Sequence, residues 1–227
     1  MIFDKFKYLR SIISTIYFNF HYLPFRQAIH LPILLYKPHL LCCKGKISIE
    51  GGVFLGMIKL GFRKVSVYPN SGFTWEDKGG TTIFRGRCDI GNDCYLSFGP
   101  KTTVDFGDGF CMTAGGKIIS YRGIKFGKGV SLGWEVLCMD TNIHPLFDIV
   151  NKVYKKASGP IIIGDYNWFG TQCKIMHSTI TPERCVFGIG SIVTRGSEKK
   201  SYCVMGGSPL RIIAENVIRD YNHDYED

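Results

Sequence analysis

The nine cysteines form no Cys-x-x-Cys pair, no zinc-module spacing and no disulfide framework. This excludes the common zinc modules, and an odd count with no framework argues against an oxidised, disulfide-stapled scaffold. The cysteines are expected to be free thiols in a reducing cytoplasm, with no metal bound. No apolar run reaches the roughly eighteen uncharged residues needed to cross a bilayer. Acidic residues are scarce: 19 Asp and Glu face 28 Lys and Arg, a net charge of +9. The bases are scattered, with clusters no longer than Lys155-Lys156 and Lys199-Lys200, and no nucleic-acid motif accompanies them. A phosphate-bearing ligand or an anionic membrane surface therefore ranks above nucleic acid. Lys5, Lys7 and Arg10 precede the apolar stretch from Ile12 to Phe20, but Asn19 and His21 break it and no small-x-small site follows. A cleaved leader is not expected.

The dominant positive signal is a period of six. From Ile163, every sixth residue reads Ile163, Phe169, Ile175, Thr181, Phe187, Val193, and Gly164, Gly170 and Gly188 directly follow three of them. Neither a helical period nor simple alternation gives this spacing. It fits a chain that turns a corner every six residues and sends one side chain per turn into a narrow core, three turns closing one triangular coil. The ladder starts earlier, at Phe84, Ile90, Leu96, Thr102. It continues as Phe106, Met112, Ile118 and then Phe126, Leu132, Cys138, with frame slips after Thr102 and Ile118. A strict frame through Asp108, Ala114 and Ser120 puts worse residues inside. Cys138 acts on its rung as a small apolar residue. The 27 glycines suit a fold with many tight corners.

Three segments flank this ladder. Phe6, Leu9, Ile13, Ile16 and Phe20 are spaced as on an amphipathic helix over 3–22, ended by Pro24. That helix either caps the open first coil or lies on an anionic membrane, and the two roles are compatible. Residues 1–45 are thus read as helix and Pro-broken connector, 46–213 as repeats, and 214–227 as a short helix, Ala214 to Tyr221, with an acidic tail, Asp224 to Asp227. Residues 146–160 read as a loop thrown out of the coil.

Only His144 and His177 of the six histidines lie within the repeats. His144 falls six residues after Cys138, where the frame ends, with Asp140 and Asn142 nearby. A positioned imidazole can take a proton from a weakly nucleophilic hydroxyl. A carboxylate such as Asp140 could orient it, or could instead be a corner residue accepting backbone N–H bonds. Asn142 is a candidate for touching the acceptor or an oxyanion, and Trp134 for lining the acceptor side of the cleft. His177 ranks below His144.

The stretch from Gly127 to Ile213, closing on Gly206-Gly207-Ser208-Pro209-Leu210-Arg211, resembles the hexapeptide-repeat acyltransferases, the group of galactoside, maltose and serine acetyltransferases. The first forty residues resemble a polysaccharide-linked branch of that group. The resemblance implies an all-β, left-handed parallel β-helix solenoid with an N-terminal helical segment and a short C-terminal helix. It implies an acetyl-CoA-dependent O-acetyltransferase acting on a saccharide, in surface polysaccharide biosynthesis and on lipid-linked acceptors, with His144 in the catalytic position. It also implies a homotrimer in which two subunits form each site. Carried over position by position, Trp168 matches a channel-lining Trp near the thioester arm. Gly170 and Thr171 match positions meeting the pantetheine, and Gly188 and Ile189 match the next such pair. The group usually has Ala where Ile189 stands, so the groove is expected to be narrower there. Arg195 and Arg211 match bases at the nucleotide phosphates and the adenine end. The alternatives are N-acylation of an amino sugar or small amine, and a non-catalytic β-helix scaffold. A carbonic anhydrase on the same fold needs three metal-binding histidines, and the repeats hold two.

Overall fold

The computed structural model describes residues 2–221, with side chains from Arg10 onward. The acidic tail Asp224 to Asp227 and the side chains of Phe6 and Leu9 lie outside the described residues. A helix α1 (Ile2–Tyr22) and a one-turn helix α2 (Phe25–Ala28) lead into three long sheets of nine, seven and six strands. Strands of each sheet recur in turn along the chain, and every pairing between successive coils is parallel. The result is a three-sided parallel β-helix.

The six-residue ladder becomes three columns of side chains in register. On side 1 the column runs Leu35, Leu60, Ile90, Met112, Leu132, Phe169, Phe187, Met205. On side 2 it runs Leu40, Trp75, Leu96, Ile118, Cys138, Ile175, Val193. On side 3 it runs Ile49, Phe84, Phe106, Phe126, Ile163, Thr181. All but Leu40 are buried. Identical rungs stack like on like: the Phe169 and Phe187 rings lie 4.4 Å apart and 6° from parallel. Successive coils touch through backbone at the corners. A Cβ on Gly133 would lie 2.9 Å from the carbonyl oxygen of Phe169, and one on Gly170 3.0 Å from that of Phe187. Glycine is needed at both.

Three expectations are corrected, and the loop expected at 146–160 does leave the coil. The coils start at Ile33–Leu35 and Pro38–Cys43, not at 46, because short edge strands with Pro at a strand start still pair. The rung after Leu96 is Phe106; Thr102 is a buried corner residue whose hydroxyl lies 2.7 Å from that of Ser120. Residues 214–221 hold no helix: the strand Arg211–Glu215 folds back antiparallel on Cys203–Gly206 and closes side 1. The excursion at 146–160 is an antiparallel hairpin, Leu146–Asp148 against Val153–Lys155.

The N-terminal helix caps the first coil, with the face opposite to its apolar stripe. Asn19, Thr15 and Ser11 bond the backbone of Ile33, Leu35 and Lys37. Phe18 is fully buried, 5.4 Å from the Trp75 ring. The helix thereby occupies the free edge of side 1, which would otherwise template further strands. Ile13, Ile16 and Phe20 are exposed.

Candidate active site

Three corners run the length of the solenoid, and the expected site residues fall on two of them. The first corner joins side 1 to side 2, and the second joins side 2 to side 3.

A groove of about 970 Å³ lies along the outer face of side 1 and onto the first corner. Trp134, Trp168, Gly170 and Thr171 all line it. Trp168 points outward because its neighbour Phe169 takes the rung. Gly188 and Ile189 stand one coil further along the same corner, where the Gly190 N–H donates to the Thr171 carbonyl at 2.9 Å. Ile189 is 73% exposed and does not line the groove, so the expected narrowing is not found within one chain. Arg211, opposite Gly206 on the closing strand, is exposed at the same end.

Two groove walls were not legible in the sequence. The segment after the closing strand lays the Arg219 guanidinium over Trp168, 4.8 Å from the ring centroid, and over Tyr221 at 4.5 Å. A helix at 214–221 would not have placed it there. The second wall is the segment 64–68, which follows the side-1 strand Ile58–Phe62. Its Lys64 pairs with Asp89 at 2.8 Å, and its Tyr68 hydroxyl donates to Glu135 at 2.7 Å. Gln172 donates to the other Glu135 oxygen at 2.7 Å, and these two bonds hold that carboxyl below the usual carboxylate range. Burial, with the Glu135 carboxylate, pushes the Tyr68 phenol up to about 12. Tyr68 also meets the Trp134 ring edge-on at 5.8 Å. The clasp fixes the aromatic rim of the groove.

The second corner holds Asp140, Asn142, His144 and Arg195. His144 stands at the foot of the hairpin, its backbone N–H donating to the Asn142 carbonyl at 2.6 Å. The neck is closed by the Asn142 N–H on the Ala157 carbonyl at 2.7 Å and by a bridge between Thr141 and Ser158. The His144 side chain is exposed and, among the described residues, forms no hydrogen bond. The Asn142 amide meets His177 Nε2 at 3.3 Å, and His177 Nδ1 lies 3.2 Å from the Ser178 hydroxyl. Sequence reading ranked His177 low, yet it packs directly below the His144 turn.

Asp140 does not orient His144. It is fully buried, and its two oxygens accept the N–H groups of Tyr121, Arg122 and Gly123 and the hydroxyl of Ser120, each at 2.8 Å. Of the two roles open in the sequence, the structure gives it the corner role. Arg195 is exposed, and among the described residues neither Arg195 nor Arg211 forms an ion pair. No three His, Cys, Asp or Glu side chains among the described residues gather as a metal site. The burial of Cys88 and Cys138 pushes their thiols well up, and Cys94 and Cys185 reach about 12 for the same reason. None of these four is a poised nucleophile.

Side 2 of the coil lies between the two groups, so one chain does not assemble them into a single cleft.

Six-residue turns stacked into three parallel sheets, with a hairpin thrown from one corner, define a hexapeptide-type β-helix. No protein-family profile matches the chain. Over 95 residues, 42% of the chain, it is 29% identical to the polysialic acid O-acetyltransferase of Escherichia coli O1:K1, covering 30% of that protein. Over 133 residues, 59% of the chain, it is 28% identical to the galactoside O-acetyltransferase of Escherichia coli K12, covering 63% of it. The chain thus spans less than two thirds of the length of these curated relatives. The solved structure of the polysialic-acid-specific acetyltransferase NeuO aligns over 81% of this chain and 85% of that one, at 21% identity and a TM-score of 0.45. Over these parts of its length the chain is similar to named O-acetyltransferases, in line with the resemblance in its sequence.

Proposed function

We propose that the protein transfers an acetyl group from acetyl-CoA to a hydroxyl of a saccharide, with His144 as general base. The observation that carries this reading is the exposed His144 ring, which forms no hydrogen bond among the described residues, at the foot of a hairpin where the coil ladder breaks. The named activities of the two relatives support the transferred acetyl group and a saccharide acceptor; the coenzyme A donor is what the resemblance in the sequence implies.

In the proposed reaction His144 accepts the proton of the attacking hydroxyl as its oxygen bonds to the thioester carbonyl carbon. The tetrahedral oxyanion then collapses and breaks the C–S bond. The leaving thiolate takes the proton back from the imidazolium, giving an O-acetyl ester and coenzyme A. General-base assistance of this kind is worth about 10²–10⁴ in rate. The side-1 groove, of about 970 Å³ with Trp168, Gly170 and Thr171 along it, is the place proposed for the pantetheine arm. Exposed Arg195 and Arg211 are available to the donor's phosphates.

The two-corner arrangement supports a homotrimer. A cyclic arrangement would bring the first corner of one copy against the second corner of the next. The hairpin beside His144 exposes Ile149, Val150, Val153 and Tyr154, an apolar surface that a neighbouring copy would cover. A cytoplasmic location accords with nine unpaired cysteines. The test is coenzyme A release from acetyl-CoA with galactosides, sialic acid polymers and amino sugars as acceptors. The expected result is turnover on a sugar hydroxyl that falls by about 10²–10⁴ in His144→Ala. Wild-type turnover in that variant would overturn the assignment.

A further inference from the structure

The N-terminal helix has two faces of opposite use. Its inward face is anchored to the first coil by Ser11, Thr15, Phe18 and Asn19, all buried. Its outward face carries Ile12, Ile13, Ile16, Tyr17 and Phe20, each at least 45% exposed. The patch continues past the helix end: the Phe20 ring lies 6.0 Å from that of Phe25, which is 71% exposed, and Ile29 follows one turn later. The cap needs none of these side chains, because the opposite face makes the contacts. A contiguous apolar patch of this kind on a soluble surface marks a binding face.

Charge identifies what it binds. The first 44 residues carry Lys5, Lys7, Arg10, Arg26, Lys37 and Lys44 against a single acidic residue, Asp4. A second copy docked on this face would set like charge against like. An anionic lipid surface is complementary in both respects: acyl chains for the isoleucines and aromatics, headgroups for the bases. No helix among the described residues is long and apolar enough to cross a membrane, so contact is within the interfacial plane.

We propose that the outward face of the helix docks the protein on anionic bilayers, so that one helix closes the coil stack with its polar side and holds lipid with its apolar side. The proposal stands apart from the acyl-transfer reading. In a cyclic trimer the three helices would lie at the same end of the assembly and act together.

The test is co-sedimentation of the full chain with vesicles of phosphatidylcholine alone or mixed with phosphatidylglycerol, at low and high salt. The protein is expected to pellet with the mixed vesicles at low salt and to be released by high salt. The triple variant Ile13→Ser, Ile16→Ser, Phe20→Ser leaves every cap contact in place. It should keep the wild-type melting temperature and lose about tenfold or more in binding. Arg10→Glu with Arg26→Glu should lose binding without touching the apolar stripe. Failure of the wild type to pellet with the mixed vesicles, or wild-type binding by the triple variant, would overturn the proposal. So would a concentration-dependent doubling of assembly size that the triple variant abolishes, since a second copy would then own the face. None of these readouts needs turnover.

Discussion

The side chain of Asn19 bonds both backbone groups of Ile33: its amide donates to the carbonyl at 2.7 Å, and its oxygen accepts the N–H at 3.1 Å. One side chain thus stands in for a neighbouring strand at the open end of the coil stack. Removing it leaves two backbone groups without partners under a helix that keeps water out. Asn19→Ala is expected to cost about 2–4 kcal/mol in denaturant unfolding. Ile13→Ser, on the other face of the same helix, should change stability by less than about 1 kcal/mol. The reverse order would show that the cap face has been misassigned.

Asp140 is the second structural carboxylate with a checkable role. Asp140→Ala deprives three backbone N–H groups of their acceptor and should destabilise the protein by at least about 2 kcal/mol. The pH dependence of kcat/KM in the variant that remains folded should keep the wild-type shape. A displaced pH profile would restore Asp140 as the group that orients His144.

Arg195 is exposed at the second corner and Arg211 on the closing strand of side 1, and among the described residues neither forms an ion pair. If each meets donor phosphates, Arg195→Ala and Arg211→Ala should each raise KM for acetyl-CoA by roughly tenfold, with kcat little changed. Steady-state kinetics at saturating acceptor reads this directly. An unchanged KM for either variant removes that residue from the donor site.

The period of six was enough to read the core, because a solenoid repeats one local instruction and each rung meets only its neighbours. Phe106, Phe126 and Ile163 reached their side-3 column in spite of the corner insertions between them. The ends were harder. Pro32 and Pro38 looked like a broken connector, yet Ile33–Leu35 is paired, because α1 supplies the partners that no strand provides. Residues 214–221 carry apolar spacing that suits a helix, but the antiparallel return of Arg211–Glu215 takes the last open edge. At the candidate site, sequence order placed His144 correctly at the foot of an excursion. It could not separate a corner carboxylate from an orienting one, since both need Asp at that position. Nor could it show that Trp168 and His144 stand on different sides of the coil, or that Arg219 returns to cover Trp168. Those are relations between segments distant in the chain.

In the proposed trimer a working cleft joins the His144 corner of one copy to the Thr171 corner of another. Two damaged chains should therefore repair each other. His144→Ala removes the base, and Thr171→Trp fills the groove at the other corner. Each alone should be nearly inactive in coenzyme A release. Co-expressed in equal amounts, so that cyclic trimers form at random, they should recover about one quarter of wild-type activity, because one site in four draws both intact halves. Recovery of that size is expected if each cleft is shared between two copies. Mixed assemblies that stay as inactive as their parents would contradict it and confine the site to a single chain.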